Sequence, residues 1–104
     1  MERIEMLKSW IETDPKDPFN YYGLALEYQK LGDLQADQLF EKLLVDFSEY
    51  LPTYYTAAKY FEASNFDKTK AIYEKGIALA IQQGNLKAQQ ELKNAYQNFL
   101  FEND

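Results

Sequence analysis

Cysteine and histidine are both absent from the 104 residues of this chain. Without cysteine there can be no disulfide, no thiolate metal site and no cysteine nucleophile, a pattern that suits a reducing compartment. Without histidine as well, catalysis would have to rely on carboxylates, lysine, tyrosine or serine. The sequence also has no glycine-rich phosphate loop, nucleophile elbow, zinc-ligand spacing or calcium-loop pattern. We therefore expect no enzymatic activity, no metal and no cofactor.

Long apolar runs are missing too. No run approaches the roughly 18 residues expected of a membrane-spanning helix, and 27% of the residues are charged. The opening stretch MERIEMLKSWIETDP has charges at Glu2, Arg3, Glu5, Lys8 and Glu12, so it lacks the apolar core of a signal peptide. The expectation is a cytoplasmic protein without a membrane partner.

Positive charge is scarce relative to negative charge. Seventeen acidic and eleven basic residues give a net charge of −6, which repels phosphate backbones and anionic lipid. Lys68, Lys70 and Lys75 come nearest to a basic cluster, but Asp67 and Glu74 dilute it, so a solvated helix face is the favoured interpretation. Nucleic acid is therefore not an expected partner.

Two carboxylates stand close together in the segment TDPKDP. Asp14 and Asp17 allow a paired acid or a metal site. They equally suit a turn followed by a helix cap, because aspartate is a preferred residue at a helix N-terminus. The turn and cap are the favoured interpretation.

Aromatic residues are plentiful, and they recur with a period of 33 residues. They make up 16% of the chain and include nine tyrosines. Shifting the sequence by 33 positions aligns YYGLALEY with YYTAAKYF and FEK with YEK. The aligned pairs are Tyr21 with Tyr54, Tyr22 with Tyr55, Leu24 with Ala57, Ala25 with Ala58, Tyr28 with Phe61, Phe40 with Tyr73 and Leu44 with Ile77. Such a period indicates a repeat protein.

The period organises the whole chain. Leu7 and Ile11 match Phe40 and Leu44 one step back, so the N-terminus looks like the second half of a unit. A third copy would want large apolar residues at Lys87 and Asn94, and it fails there. We interpret residues 1–104 as one domain: a half repeat at 3–17, repeats at 18–50 and 51–83, and a capping helix at 84–104.

Each repeat reads as two helices. Apolar residues at i, i+3, i+4 and i+7, as in Tyr21, Leu24, Ala25 and Tyr28, form one stripe of an amphipathic helix. Gly32 or Asn65 can end the first helix of a pair, and the aspartates Asp33 and Asp67 can cap the second. The helices are predicted at about 3–13, 18–31, 34–47, 52–63, 67–83 and 86–101, with no strand. The last one carries its apolar stripe at Leu92, Ala95, Tyr96 and Phe99 and is polar elsewhere, as a capping helix requires.

Units of this kind resemble the tetratricopeptide repeat, a helix-turn-helix array with the motif W-x2-LG-x2-Y, then A-x3-F, then P. The resemblance covers residues 3 to 83. Tyrosine stands for the tryptophan, and Ala25 and Ala58 stand for the glycine. ADQLF (36–40) keeps the small-then-aromatic spacing, whereas TKAIY (69–73) has threonine for the alanine. Ser48 and Ile81 replace the closing proline, which is present as Pro15.

The resemblance implies an all-α, right-handed superhelix of stacked hairpins with a concave, peptide-binding groove lined by the first helices. Some members of the family grip a peptide carboxylate with lysines and asparagines on those helices. The matching positions here include Tyr22, Leu26 and Thr56, so that clamp is not expected.

Adjacent tyrosines point about 100° apart on a helix, so each pair serves two surfaces. The Tyr21 and Tyr54 stripes face neighbouring helices. The rotated strip then predicts a groove lined by six residues: Tyr22, Leu26, Gln29, Tyr55, Lys59 and Glu62. Packing of this strip against the capping or the N-terminal helix is the alternative.

The expected function is that of a non-catalytic adaptor or scaffold, which binds a peptide segment of another protein in this groove. The negative charge favours a neutral or basic segment. The alternative is a self-associating structural protein, because Phe101 lies almost opposite the apolar stripe of the last helix and suits a dimer contact or a frayed end equally. The chain is accordingly expected to be a monomer or a weak homodimer.

Overall fold

A computed structural model of the chain describes residues 2–103. All regular structure in this part is helical. The helices are α1 (Glu2–Thr13), α2 (Pro18–Lys30), α3 (Gln35–Asp46), α4 (Pro52–Phe61), α5 (Phe66–Gln82) and α6 (Leu86–Glu102). The prediction of an all-α protein with six helices is confirmed, and each predicted boundary lies within two residues of the observed one.

The chain divides into two compact units, Met1–Thr53 and Tyr54–Asp104. The first unit holds α1, α2 and α3, and α2 packs against both of the others. The second unit holds α4 from Tyr54 onward, α5 and α6, and α5 packs against α6. No helix within residues 2–103 combines the length and the apolar character needed to cross a membrane.

Turn residues fix where the helices begin and end. The Asp17 carboxylate accepts a hydrogen bond from the Phe19 backbone N–H at 3.0 Å, and Pro18 follows at the first helical position of α2. This confirms the interpretation of Asp17 as a helix cap. Gly32 (φ 67°) and Gly84 (φ 69°) adopt the left-handed conformation just after α2 and α5, which glycine reaches without steric cost.

The start of α5 differs from the prediction. Asn65, which was expected to end the preceding helix, is the N-cap of α5, and its side-chain oxygen accepts from the Lys68 N–H at 3.0 Å. Asp67, the predicted cap, lies in the first turn of the helix. Asparagine and aspartate are nearly equal as caps. The extended backbone of Asn65 (φ −152°, ψ 98°) decides between them.

Both tyrosine stripes predicted to face neighbouring helices are buried, and each unit has its own core. Tyr21 in the first unit also donates a hydrogen bond from its hydroxyl to the Pro15 carbonyl at 2.9 Å, and its ring lies 5.3 Å from that of Phe47. The first core contains Ile4, Leu7, Tyr21, Leu24, Ala25, Tyr28, Ala36, Phe40, Leu43 and Leu51. The second contains Tyr54, Ala57, Ala58, Phe61, Ile72, Tyr73, Leu79, Ala80, Leu92, Ala95 and Phe99.

Candidate functional site

The three predicted groove residues of the first unit lie on α2. Tyr22, Leu26 and Gln29 are all half-buried. The Tyr22 ring meets Tyr50 edge to face, with 5.8 Å between the ring centroids. Burial raises the pKa of Tyr50, and the neighbouring Tyr22 and Asp17 raise it further. A second aromatic ring therefore covers part of this strip.

A hollow of about 440 Å³ lies beside the loop that follows α3 in the same unit. Its walls are Pro18, Asp46, Phe47, Ser48, Glu49 and Tyr50. The Asp46 carboxylate is already held by Lys42 at 3.0 Å. None of the six predicted groove residues lines this hollow.

The remaining predicted residues lie on α4 in the second unit. Tyr55 is 42% exposed, whereas its neighbour Tyr54 is only 4% exposed. The Lys59 ammonium stands 6.0 Å from the centre of the Tyr55 ring and 3.6 Å from the Glu62 carboxylate. Glu62 also accepts a hydrogen bond of 2.6 Å from the hydroxyl of Tyr73. Two predicted residues thus present exposed surface, while Glu62 is engaged inside its own unit.

Tyr55 and Lys59 form one wall of a cleft with a volume of about 440 Å³. The opposite wall is α6. It contributes Glu91, Asn94, Ala95 and Asn98, which follow one another at i, i+3, i+4 and i+7 and so share a helix face. Within the described residues, the side chains of Glu91, Asn94 and Asn98 make no hydrogen bond or ion pair. The cleft therefore joins an aromatic ring and a cation on one side to unengaged polar groups on the other.

Two tyrosines hold α6 in place beside this cleft. Tyr73 on α5 is fully buried and stacks on Tyr96 with 5.4 Å between ring centroids. Tyr96 donates a hydrogen bond from its hydroxyl to Glu74 at 2.8 Å. Burial and this bond raise the pKa of Tyr96 to about 12, and burial with the Glu62 bond raises the pKa of Tyr73 as well. Both hydroxyls therefore stay neutral donors in the folded protein.

The α6 wall was not among the predicted site residues, although the repeat contains a signal for it. Counting 33 residues onward, Glu91 matches the buried Ala58, and Asn94 matches the buried Phe61. The last helix thus carries polar groups at positions where both repeats have core residues. That substitution marks a face that no further repeat covers.

Comparison with protein-family models, curated proteins and solved structures gives no match to the chain. Within residues 2–103, no group of three or more carboxylates is arranged to hold a metal ion. The chemistry of the cleft is therefore that of its side chains: aromatic contact, hydrogen bonding and one charge of each sign.

Proposed function

We propose that the protein is a non-catalytic interaction module that binds a peptide segment of another protein. The observation that carries the proposal is the cleft between α4 and α6, where an exposed tyrosine faces polar side chains that have no partner. Tyrosine offers a large rigid contact area with a polar tip, and such residues dominate binding energies at interfaces. A volume of about 440 Å³ also lies in the usual range for ligand sites.

The finer architecture belongs to the same proposal. The 33-residue period and the helical hairpin of α2 and α3 support a tetratricopeptide-like array whose hairpins stack in a right-handed superhelix. In that arrangement Tyr22, Leu26 and Gln29 extend the binding surface that starts at Tyr55 and Lys59. Glu62 would contribute by holding Lys59 in position.

Selection from a random twelve-residue peptide library displayed on phage tests the proposal. Selected peptides should bind the chain in calorimetry, and the double substitution Tyr22→Ala with Tyr55→Ala should weaken them at least tenfold, since losing one aromatic anchor costs about 2 kcal/mol or more. Phe19→Ala, which removes an exposed ring elsewhere, is the matched control. Failure to select any peptide, or equal binding by the double variant, would overturn the proposal.

The double variant must also melt near the wild-type temperature. A fall of many degrees would mean that both rings belong to the core, and the groove would then be the wrong interpretation.

Self-association remains the second candidate, and the exposure of Phe101 favours it. This side chain is 84% exposed on α6, and a large exposed apolar ring is a common contact between protein chains. Light scattering at micromolar concentration should then give a dimer, and Phe101→Glu should return it to a monomer. A wild-type monomer would exclude an obligate dimer.

A further inference from the structure

We propose that the cleft of the second unit binds an extended peptide strand through its main chain, and that the amides of Asn94 and Asn98 recognise it. This inference rests on the proposed function and specifies its ligand. The occupant is an uncharged segment of a partner protein in β-strand conformation.

The spacing of the two asparagines matches an extended backbone. Residues four apart on a helix are separated by about 6 Å along its axis, and alternate residues of an extended strand are separated by about 6.6 Å. Asn94 and Asn98 lie on the same wall of the cleft and are both exposed. Each can therefore meet every second peptide group of one strand.

The chemistry of the amide fits the same ligand. An asparagine side chain offers one carbonyl acceptor and two N–H donors, and a peptide group offers one donor and one acceptor. Neither asparagine uses these groups within residues 2–103. A bound helix would not satisfy them, because its main-chain groups are paired internally except at its ends. An extended strand keeps its N–H and C=O groups available.

Charge does not select the ligand at this cleft. Glu91 and Lys59 supply one charge of each sign, and the Lys59 ammonium is already close to Glu62. Six acidic and six basic residues leave the second unit with no net charge. The strand is therefore recognised by its backbone, and one of its side chains packs on the Tyr55 ring, since alternate side chains of a strand point to opposite faces.

The test uses peptides selected from the random library and measures their affinity for four forms of the chain: wild type, Asn94→Ala, Asn98→Ala and Gln97→Ala. Each asparagine substitution should weaken binding by about three- to tenfold, the effect of losing net hydrogen bonding. Gln97 is exposed on the same helix but does not line the cleft, so its substitution is the control and should have no effect.

A scan of backbone N-methylation along the peptide then locates the contacts, because each methyl group removes one N–H donor. Two sensitive positions should appear, two residues apart. Methylation at the first should have no further effect in the Asn94→Ala variant, and methylation at the second none in Asn98→Ala.

The possible failures are distinct. Sensitive positions three or four residues apart would indicate a helical ligand and overturn the inference. Peptides that lose affinity in the Tyr22→Ala with Tyr55→Ala variant but not in the asparagine variants would overturn it too, while leaving the proposed function intact. If no peptide binds at all, the proposed function fails and the inference fails with it.

Discussion

The two units share a sequence period but differ in charge and in surface. The first unit contains eleven acidic and five basic residues, so it carries the whole net charge of −6, whereas the second contains six of each. Tyr22 in the first unit is partly covered by Tyr50. The residue 33 positions after Tyr50 is Gln83, which supplies no ring, and Tyr55 remains exposed. The same helical hairpin thus gives one acidic, partly covered face and one neutral, open cleft.

Glycines within helices extend the contrast to the cores. A Cβ atom built on Gly76 of α5 would lie 2.7 Å from the Cβ of Tyr54 and 3.3 Å from Leu92. One built on Gly23 of α2 would lie 3.1 Å from a terminal methyl of Leu7. The first contact involves an atom fixed to the backbone of α4, and the second involves the end of a flexible side chain. The second unit is therefore packed with less tolerance at its glycine.

Gly76→Ala against Gly23→Ala should give the largest difference. Alanine gains about 1 kcal/mol of helix propensity over glycine at both sites. At Gly76 overpacking should exceed this gain and leave a loss of about 1–2 kcal/mol, which lowers the melting temperature by roughly 4–8 °C per kcal/mol. At Gly23 Leu7 can shift, so the two effects should nearly cancel. Urea unfolding followed by circular dichroism measures both.

Equal stability changes in the two glycine variants would contradict this contrast in packing. Gly76→Ser serves as a further check, because it adds the same Cβ atom with a lower helix propensity and should be at least as destabilising as alanine.

Alkaline pH should weaken the second unit through its tyrosines. The pKa of Tyr96 is raised to about 12, first by burial and then by Glu74, and that of Tyr73 is raised by burial and by Glu62. The unfolded chain loses these protons near pH 10, while the folded chain still holds them. Their contribution to stability is therefore complete below about pH 10 and is lost as the pH rises toward 12.

Urea midpoints at pH 8, 10 and 11 measure this loss. Tyr96→Phe and Tyr73→Phe should each make the fall above pH 10 shallower than in the wild type. Tyr55→Phe removes an exposed hydroxyl and should leave the slope unchanged. Parallel slopes in all four proteins would show that other groups, such as the lysines, account for the whole effect.

These differences also show how far the sequence alone could lead. Periodicity located all six helices and the buried stripes, because the spacing of Tyr21, Leu24, Ala25 and Tyr28 is set by helix geometry and recurs 33 residues later. The choice of Asn65 over Asp67 as a cap was missed, since it depends on backbone angles that composition does not determine.

The candidate site was recoverable in part for the same reason. Helical spacing placed Tyr55 and Lys59 on one strip, and both line the cleft. The engagement of Glu62 by Tyr73, eleven residues away on another helix, could not be read from a pattern within one helix. Asn94 and Asn98 lie beyond the last repeat, where no period predicts which face of α6 meets α5 and which face stays open.

Buried hydroxyls give the smallest expected effect and a last contrast between the units. Thr69 in the second unit is fully buried, and its hydroxyl has no hydrogen-bond partner within the described residues. The first unit has Ala36 at the matching position, also fully buried. Thr69→Val keeps the shape and removes the unpaired hydroxyl, so it should stabilise the protein by about 1 kcal/mol.

Thr69→Ser is the matched control for that gain, because it keeps the hydroxyl and deletes the methyl group. It should lower stability, since a buried methyl contributes about 1 kcal/mol. If Thr69→Val were less stable than the wild type in urea unfolding, the hydroxyl would have to be bonded in solution. Thr53, whose hydroxyl is likewise buried and unpaired in the first unit, should respond to valine in the same direction, because the cost of an unpaired hydroxyl depends on burial and not on the charge that distinguishes the units.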